Sequence, residues 1–497
     1  MVEIATIVTL VTAMIMAGAA TLMLVTAALV HPKIAAGVIV AITMLSQTIQ
    51  TVTGVNALGY GDELGVILAV VLFAGRRLYL RGSIRLHPSM WFFGAFAVLG
   101  MVSSVVNGVP LSTMTTGAFL FLKGPALWFA VAQLDWRRED LPNVAKAGAG
   151  FVMFVLATCV VNVVMPGPWN AWIGRMETIT ERAGFTSLTG PFDHPVGLGT
   201  TMSMAFLAIL LYRHFVKKSA LNTALLVGTG LACIAAFRRK SIAAGAVTAL
   251  GMRAVLPGPK AMYLTALAVL VPVALVVGWE PLMTVVSSTY QEYTADVTET
   301  ARVRMTLDAI SLTLAAFPLG VGFGRFGSFT AGEQYSPLYE DFGYQWIYGM
   351  GPGERGGFLS DTFWPAPLAE TGILGAVCYA AALFLLAVTG WRLMHHSSWA
   401  HVRWIGGVTV AWFATLGIES VVAPVFVSPP MFALPFVVAG VATALTSAET
   451  ATERGTDHES NPVDGGQEHS ESTTETALPV APWAAAPTMS HRTVEDV

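Results

Sequence analysis

Long uninterrupted apolar runs constrain this chain more than any other feature. They fall near residues 4–30, 34–55, 63–75, 89–106, 114–133, 144–165, 195–212, 220–237, 241–252, 261–278, 364–390, 404–422 and 431–446. A helix needs roughly 20 apolar residues to cross the hydrocarbon core. Inside that core only helices and closed barrels satisfy every backbone N–H and C=O, and runs this continuous lack the alternation of a barrel strand. The expectation is an all-α polytopic membrane protein with 12 to 14 transmembrane helices. The first run lacks a basic leader and a small-residue cleavage site, so it reads as a helix. Composition agrees: 54% of residues are hydrophobic and 12% charged, against about 25% charged in soluble domains. Cys159, Cys233 and Cys378 each lie inside an apolar run, which excludes a disulfide framework or a zinc cluster built from them.

Charge divides the chain. From Ser447 onward there are ten acidic residues and two arginines, leaving 25 basic and 21 acidic residues in the rest. That tail is too poor in aliphatics to offset the entropy of ordering. The expected organisation is transmembrane helices with short loops over 1–278, a long outer-face loop with helical parts over 279–362, transmembrane helices over 363–446, and a disordered acidic cytoplasmic tail over 447–497.

Lys and Arg collect on the cytoplasmic side of membrane proteins. Five connections (RRLYLRGSIRLH, DWRRED, RHFVKK, RAVLPGPK and WRLMHHSSWAHVR) hold thirteen basic residues and fall on one side if the spans alternate. The localisation expected is the cytoplasmic membrane, multi-pass, with the tail inside. The other side receives 166–194, the turn at 238–240 and the segment 279–362, which has ten carboxylates, four arginines and no lysine.

Several outer residues are candidates for chemistry. Arg238, Arg239 and Lys240 break the charge rule; three cations on the costly side suggest an anionic ligand. Arg182 opens a Gly- and Pro-dense segment running to His194 and Pro195 at a helix start, a plausible phosphate cradle. His194 is the one histidine placed firmly outside, in a functional or a structural role. Arg302 and Arg304 precede a helical face of Met305, Ala309 and Leu312. Gly320, Gly322, Gly324 and Gly327 surround Arg325, a pattern read as close backbone approach to a saccharide or pyrophosphate. Tyr335, Tyr339, Tyr344, Trp346 and Tyr348 suit sugar stacking or interfacial anchoring. Asp361 and Glu370 put two carboxylates at the start of a later span. Lys123 lies within a span, where an ionisable residue is a functional candidate unless it snorkels.

The order of these parts resembles the O-antigen ligase and Wzy-type O-antigen polymerase superfamily. The matching residues are Gly190-Pro-Phe-Asp-His-Pro195, Arg238-Arg239, Arg302 or Arg304, Pro318-Leu-Gly-Val-Gly322-Phe-Gly324 and Glu370-Thr-Gly372-Ile-Leu-Gly375. They cover roughly residues 90 to 445. The resemblance implies a GT-C-like membrane glycosyltransferase that moves a glycan from a polyprenyl diphosphate to a hydroxyl of a glycan or lipid-linked acceptor on the outer face. The product would be a cell-surface polysaccharide, assembled with other polysaccharide-assembly proteins and without nucleic acid, metal or other cofactor. Where ligases of the family carry a loop histidine this chain has Asp361, followed by Thr362 in place of Asn. Arginines are the means of stabilising a leaving diphosphate, here Arg182, Arg238, Arg239, Arg302, Arg304 and Arg325, with Lys123. The base would be Asp361, then His194, then Glu370. The rival reading is a flippase or other transporter, which would show internal repeats and no single large loop; neither trait is visible in the sequence.

Overall fold

The structure is a computed structural model that describes residues 25–174, 181–182, 185–257, 301–347, 349–353 and 357–459. The expected runs before residue 25 and over 261–278, the first part of the outer segment, Tyr348, and the tail beyond residue 459 lie outside the described residues. The regular structure among the described residues is helical apart from a short antiparallel hairpin pairing Glu181–Arg182 with Phe185–Thr186. In chain order the main helices are α1 (Pro32–Thr53), α2 (Ala57–Arg81), α3 (Pro88–Val106), α4 (Leu111–Ala132), α5 (Leu141–Val164), α6 (Pro195–Phe215), α7 (Ala220–Ala235), α8 (Arg239–Val255), α9 (Ala301–Ala315), α10 (Pro365–His396), α11 (Ala400–Glu419) and α12 (Ala433–Glu459).

Seven of them, α1 to α6 and α10, are long and apolar enough to cross a membrane; α7 and residues 433–447 of α12 are shorter apolar helices. The run 63–75 looks too short for a span in sequence. It is part of a 25-residue helix, α2, whose Arg77 and Arg81 extend it past the apolar stretch. A π-helical turn at Val70–Ala74 sits inside it.

Two His-Pro pairs start helices by the same device. His87 and His194 each accept, through Nδ1, the backbone N–H two residues on, at 3.2 and 3.1 Å, and proline fills the first helical position. Proline fits there because that N–H has no intrahelical partner.

The core runs along α10, which packs most extensively against α3 and α11. Its aromatic centre holds Phe96, Phe121, Phe323, Phe363 and Tyr379 in edge and tilted contacts. α10 is broken at Gly372, whose φ of 70° and ψ of 178° are not helical. Val321 and Gly322 of the glycine-rich loop donate to the Ala369 and Glu370 carbonyls at 2.8 and 2.9 Å, so the loop supplies partners for carbonyls beside the break.

α9 has two apolar faces. Met305, Asp308, Ala309 and Thr313 are buried, and Thr313 donates to the Leu368 carbonyl of α10 at 2.9 Å. Leu307, Ile310 and Leu314 are exposed on the other side, followed by exposed Phe317.

The two ends of the bundle differ chemically. At one, Arg77 and Arg85 pair with Asp135 at 3.1 and 2.9 Å, Lys33 pairs with Asp140 at 2.5 Å, and Arg138 lies 3.9 Å over Trp399. Three of the five basic connections meet there. At the other end lie the starts of α6, α8 and α10, the end of α11, and the candidate site.

Candidate functional site

The site is built by the last turn of α11. Glu419 is fully buried, and its Oε2 accepts from Thr200 Oγ1 of α6 at 2.6 Å and from Ser241 Oγ of α8 at 3.3 Å. Next along the chain, the Ser420 carbonyl accepts from the Phe363 N–H at 3.1 Å, and the Ser420 hydroxyl from Trp364 Nε1 at 2.9 Å. The Val422 carbonyl accepts from Lys240 Nζ at 3.3 Å. Three residues within a stretch of four thus fasten three segments that are far apart in sequence.

Two of these segments bring charge, and α9 adds more. Between α7 and α8 the chain turns through Phe237, whose φ of +50° is costly for a non-glycine residue, and Arg238 becomes the N-cap of α8 with Arg239 and Lys240 in its first turn. The lead-in to α10 carries Asp361. Arg302, near the start of α9, grips the Asp361 carboxylate: Nε donates to Oδ2 at 2.8 Å and a terminal nitrogen of the same guanidinium meets the same oxygen. Burial pushes the Asp361 carboxyl above its ordinary range, while Arg302, Lys240 and Arg238 pull it back. Beside the pair is a cleft of about 230 Å³, walled by Val303, Leu307, Val421 and Val422 and carrying Arg302, Thr306 and Thr362. The Thr362 hydroxyl is buried with no hydrogen-bond partner. One guanidinium, that of Arg302, with aliphatic walls elsewhere suits an anionic amphiphile.

Arg238, Lys240, Arg302 and Asp361, all singled out in the sequence, therefore come together. Arg239 is half-buried in the same helical turn. Other candidates sit elsewhere. Arg304 turns away from Arg302 and donates to Asp308 at 2.8 Å; Asp308 also accepts from Tyr344 at 3.0 Å, and burial with that carboxylate pushes the Tyr344 phenol up. This network braces the segment that leads from α9 toward α10. Lys123 is buried in an ion pair with Asp62 at 2.7 Å and lies 5.2 Å over Phe432, so it does not snorkel. The Nδ1 of His194 is committed to its cap, so a neutral ring carries its proton on Nε2 and has no lone pair left to act as a base. The backbone of Arg182 is in the short hairpin, and its side chain lies outside the described part of the structure.

The glycine-rich loop does something other than the sequence suggested. Gly320, Gly322, Gly324 and Gly327 all have φ between 72° and 95°, and their close approaches are to protein. A Cβ on Gly320 would lie 2.4 Å from the Ala369 carbonyl oxygen, and one on Gly322 2.8 Å from the Cα of Ser104. Phe323, buried between Phe96 and Phe121, pins the loop between α3 and α4, its N–H donating to Ser104 Oγ at 2.8 Å. Glu370 is fully buried, and its Oε1 accepts from the Phe326 N–H at 3.1 Å and Ser328 Oγ at 2.7 Å. The loop is a packing wedge and Glu370 its clasp. Arg325 rides on this wedge, half-exposed, with its Nε buried and unpartnered.

Sequence reasoning missed Glu419, Thr200 and Ser420. The available signal was a carboxylate at the end of an apolar run, a costly placement.

Fold and site together define a polytopic helical membrane protein with a largely aliphatic cleft beside the Arg302–Asp361 pair at one end of its bundle. The chain matches no protein-family model, and no curated protein matches it.

Proposed function

We propose that the cleft binds the diphosphate of a polyprenyl-linked glycan and transfers the glycan to a hydroxyl of a glycan or lipid-linked acceptor at the outer face of the cytoplasmic membrane. The protein is then a polymerase or ligase of cell-surface polysaccharide. The observation that carries this reading is the meeting of Arg302, Asp361, Lys240 and Arg238 beside an aliphatic cleft.

The chemistry follows from the Arg302–Asp361 pair. A guanidinium fork matches a diphosphate as well as it matches a carboxylate, so an arriving donor competes with Asp361 for Arg302. The displaced carboxylate takes the proton of the acceptor hydroxyl. The acceptor oxygen forms its bond to the anomeric carbon as the bond from that carbon to the diphosphate oxygen breaks. The departing polyprenyl diphosphate takes that electron pair, and Arg302, Lys240 and Arg238 stabilise the charge. The donor is already activated, so no ATP is required.

The break in α10 is the feature that favours a transporter, because discontinuous helices often hold transported ions and solutes. Here carbonyls beside the break are taken by Val321 and Gly322. The two readings separate in proteoliposomes loaded with a lipid-linked glycan. Lengthened or transferred glycan with release of polyprenyl diphosphate supports the transferase, and unaltered donor appearing in the opposite leaflet replaces it with the transporter.

A further inference from the structure

Residues 301–327 do not stay at the end of the bundle. The start of α9 meets Asp361, ahead of α10, through Arg302. Thr313 meets the Leu368 carbonyl in the first turn of α10, and Val321 and Gly322 meet those of Ala369 and Glu370. α9 therefore descends alongside the first turns of a helix long and apolar enough to span a membrane. The loop that follows lies deeper among such helices. A Cβ on Gly117, six residues on from the start of α4, would lie 2.6 Å from the Gly324 nitrogen, which puts that backbone about 9 Å past the helix end. Phe323 packs on Phe96 and Phe121, each ten residues from the same end of its helix. The chain then returns, and Gln334 accepts from Thr113, in the first turn of α4, at 2.7 Å.

Irregular backbone at such depth is tolerated in a membrane only where protein satisfies it. Val321, Gly322, Phe323, Phe326 and Gly327 all donate to protein acceptors. The sequence is apolar to match, since Ala309 to Gly324 includes no ionisable residue. On the exposed side of α9, Val303, Leu307, Ile310 and Leu314 recur at the i, i+4, i+7, i+11 spacing of one helical face, and Phe317 continues it. Leu314 and Phe317 are 71% and 67% exposed. Val303 and Leu307, the first members of this stripe, also wall the cleft, together with exposed Val421.

We propose that residues 301–327 form a re-entrant hairpin in the leaflet on the cleft side, with the stripe from Leu307 to Phe317 against the acyl chains of that leaflet and the cleft opening onto the same hydrocarbon layer. At 15 residues α9 is too short to cross, so it enters and the glycine-rich loop turns the chain back. The placement is independent of what the cleft carries, so its failure leaves the transferase reading standing.

The test uses the full chain in lipid nanodiscs with Leu314→Cys, Phe317→Cys and, as a control outside the stripe, Trp346→Cys, each labelled with bimane. Wild type treated in the same way supplies the background from Cys159, Cys233 and Cys378. Two quenchers are compared: a lipid carrying a nitroxide on its upper acyl chain, and iodide in the water. Nitroxide quenching at Leu314 and Phe317 should exceed that at Trp346 by at least about twofold, because the first two sites lie in the hydrocarbon core, and iodide should quench in the opposite order. Iodide quenching at Leu314 equal to that at Trp346 would put α9 in water and overturn the hairpin. Protection of Leu314 from both quenchers would mean that a second copy or another protein covers the stripe, and would overturn the lipid as its occupant. All three side chains are exposed, so the melting temperatures should stay near wild type; a marked fall in Leu314→Cys or Phe317→Cys would likewise show protein packed on the stripe and count against lipid.

Discussion

At the level of single residues, Arg302 and Asp361 hold each other in the absence of substrate, and the consequences separate on substitution. Arg302→Lys keeps the charge and loses the fork; transfer should fall at least about tenfold while yield and melting temperature in detergent stay near wild type. Full activity would move diphosphate binding to Arg238 and Lys240. Asp361 does not cap α10: the N-cap is Trp364, with no side-chain cap bond. Asp361→Asn and Asp361→Ala should therefore both lose transfer and keep donor binding, where a capping role would spare the asparagine. A base works ionised, so activity is present above its pKa and lost as pH falls through it. Burial raises that of Asp361, placing the acidic limb of kcat/KM, which reports the free enzyme, above the ordinary carboxylate value of about 4. Arg302→Gln removes the cation that favours the ionised form and should shift the limb further up. A limb at or below the ordinary value in the wild type would assign the base elsewhere. The sequence held these partners as separate candidates, because charge and side can be read along a chain and long-range pairing cannot. It left Arg302 and Arg304 as alternatives for one position, whereas residues two apart on a helix face about 200° apart, and the structure sends one to the cleft and the other to Asp308.

Among the elements, the wedge and the broken α10 depend on each other. Gly372 has a backbone conformation nearly confined to glycine, and a Cβ there would lie 2.4 Å from the Pro318 carbonyl oxygen. Gly372→Ala should cost at least about 2 kcal/mol, read as a fall in melting temperature and in the yield of folded protein. Glu370 separates clasp from catalyst. Glu370→Gln keeps an acceptor for Phe326 and Ser328 and should retain transfer within a few-fold. Glu370→Ala leaves both donors unsatisfied, at about 1–3 kcal/mol each, and should lose stability and activity together. Loss of transfer in a stable Glu370→Gln would return Glu370 to the catalytic set. The glycines were legible as a place of close approach. What they approach was not, because glycine spacing reports that the backbone must come near something and says nothing of what that is.

On the scale of the whole molecule, the positions of most apolar helices were readable, since about 20 apolar residues have few other uses. Lys33, Arg77, Arg85 and Arg138 gather at the end opposite the cleft, and which end faces the cytoplasm is read by labelling. A cysteine at Trp346, which is 85% exposed, should react with a membrane-impermeant maleimide in intact cells, and one at Ser398, exposed at the basic end, should not. The reverse pattern would put the cleft in the cytoplasm and end the proposed scheme. The described part of residues 301–362 carries α9 and short helical turns. Its own small core of Met305, Phe326, Tyr339, Tyr344 and Met350 is closed by Ala369 of α10, and α9 offers Leu307, Ile310 and Leu314 to its surroundings. Excised and produced alone, residues 301–362 would present greasy flanks on both sides of one helix and precipitate. Antibodies, soluble fragments and fragment screens aimed at this region therefore need the intact chain in a lipid environment.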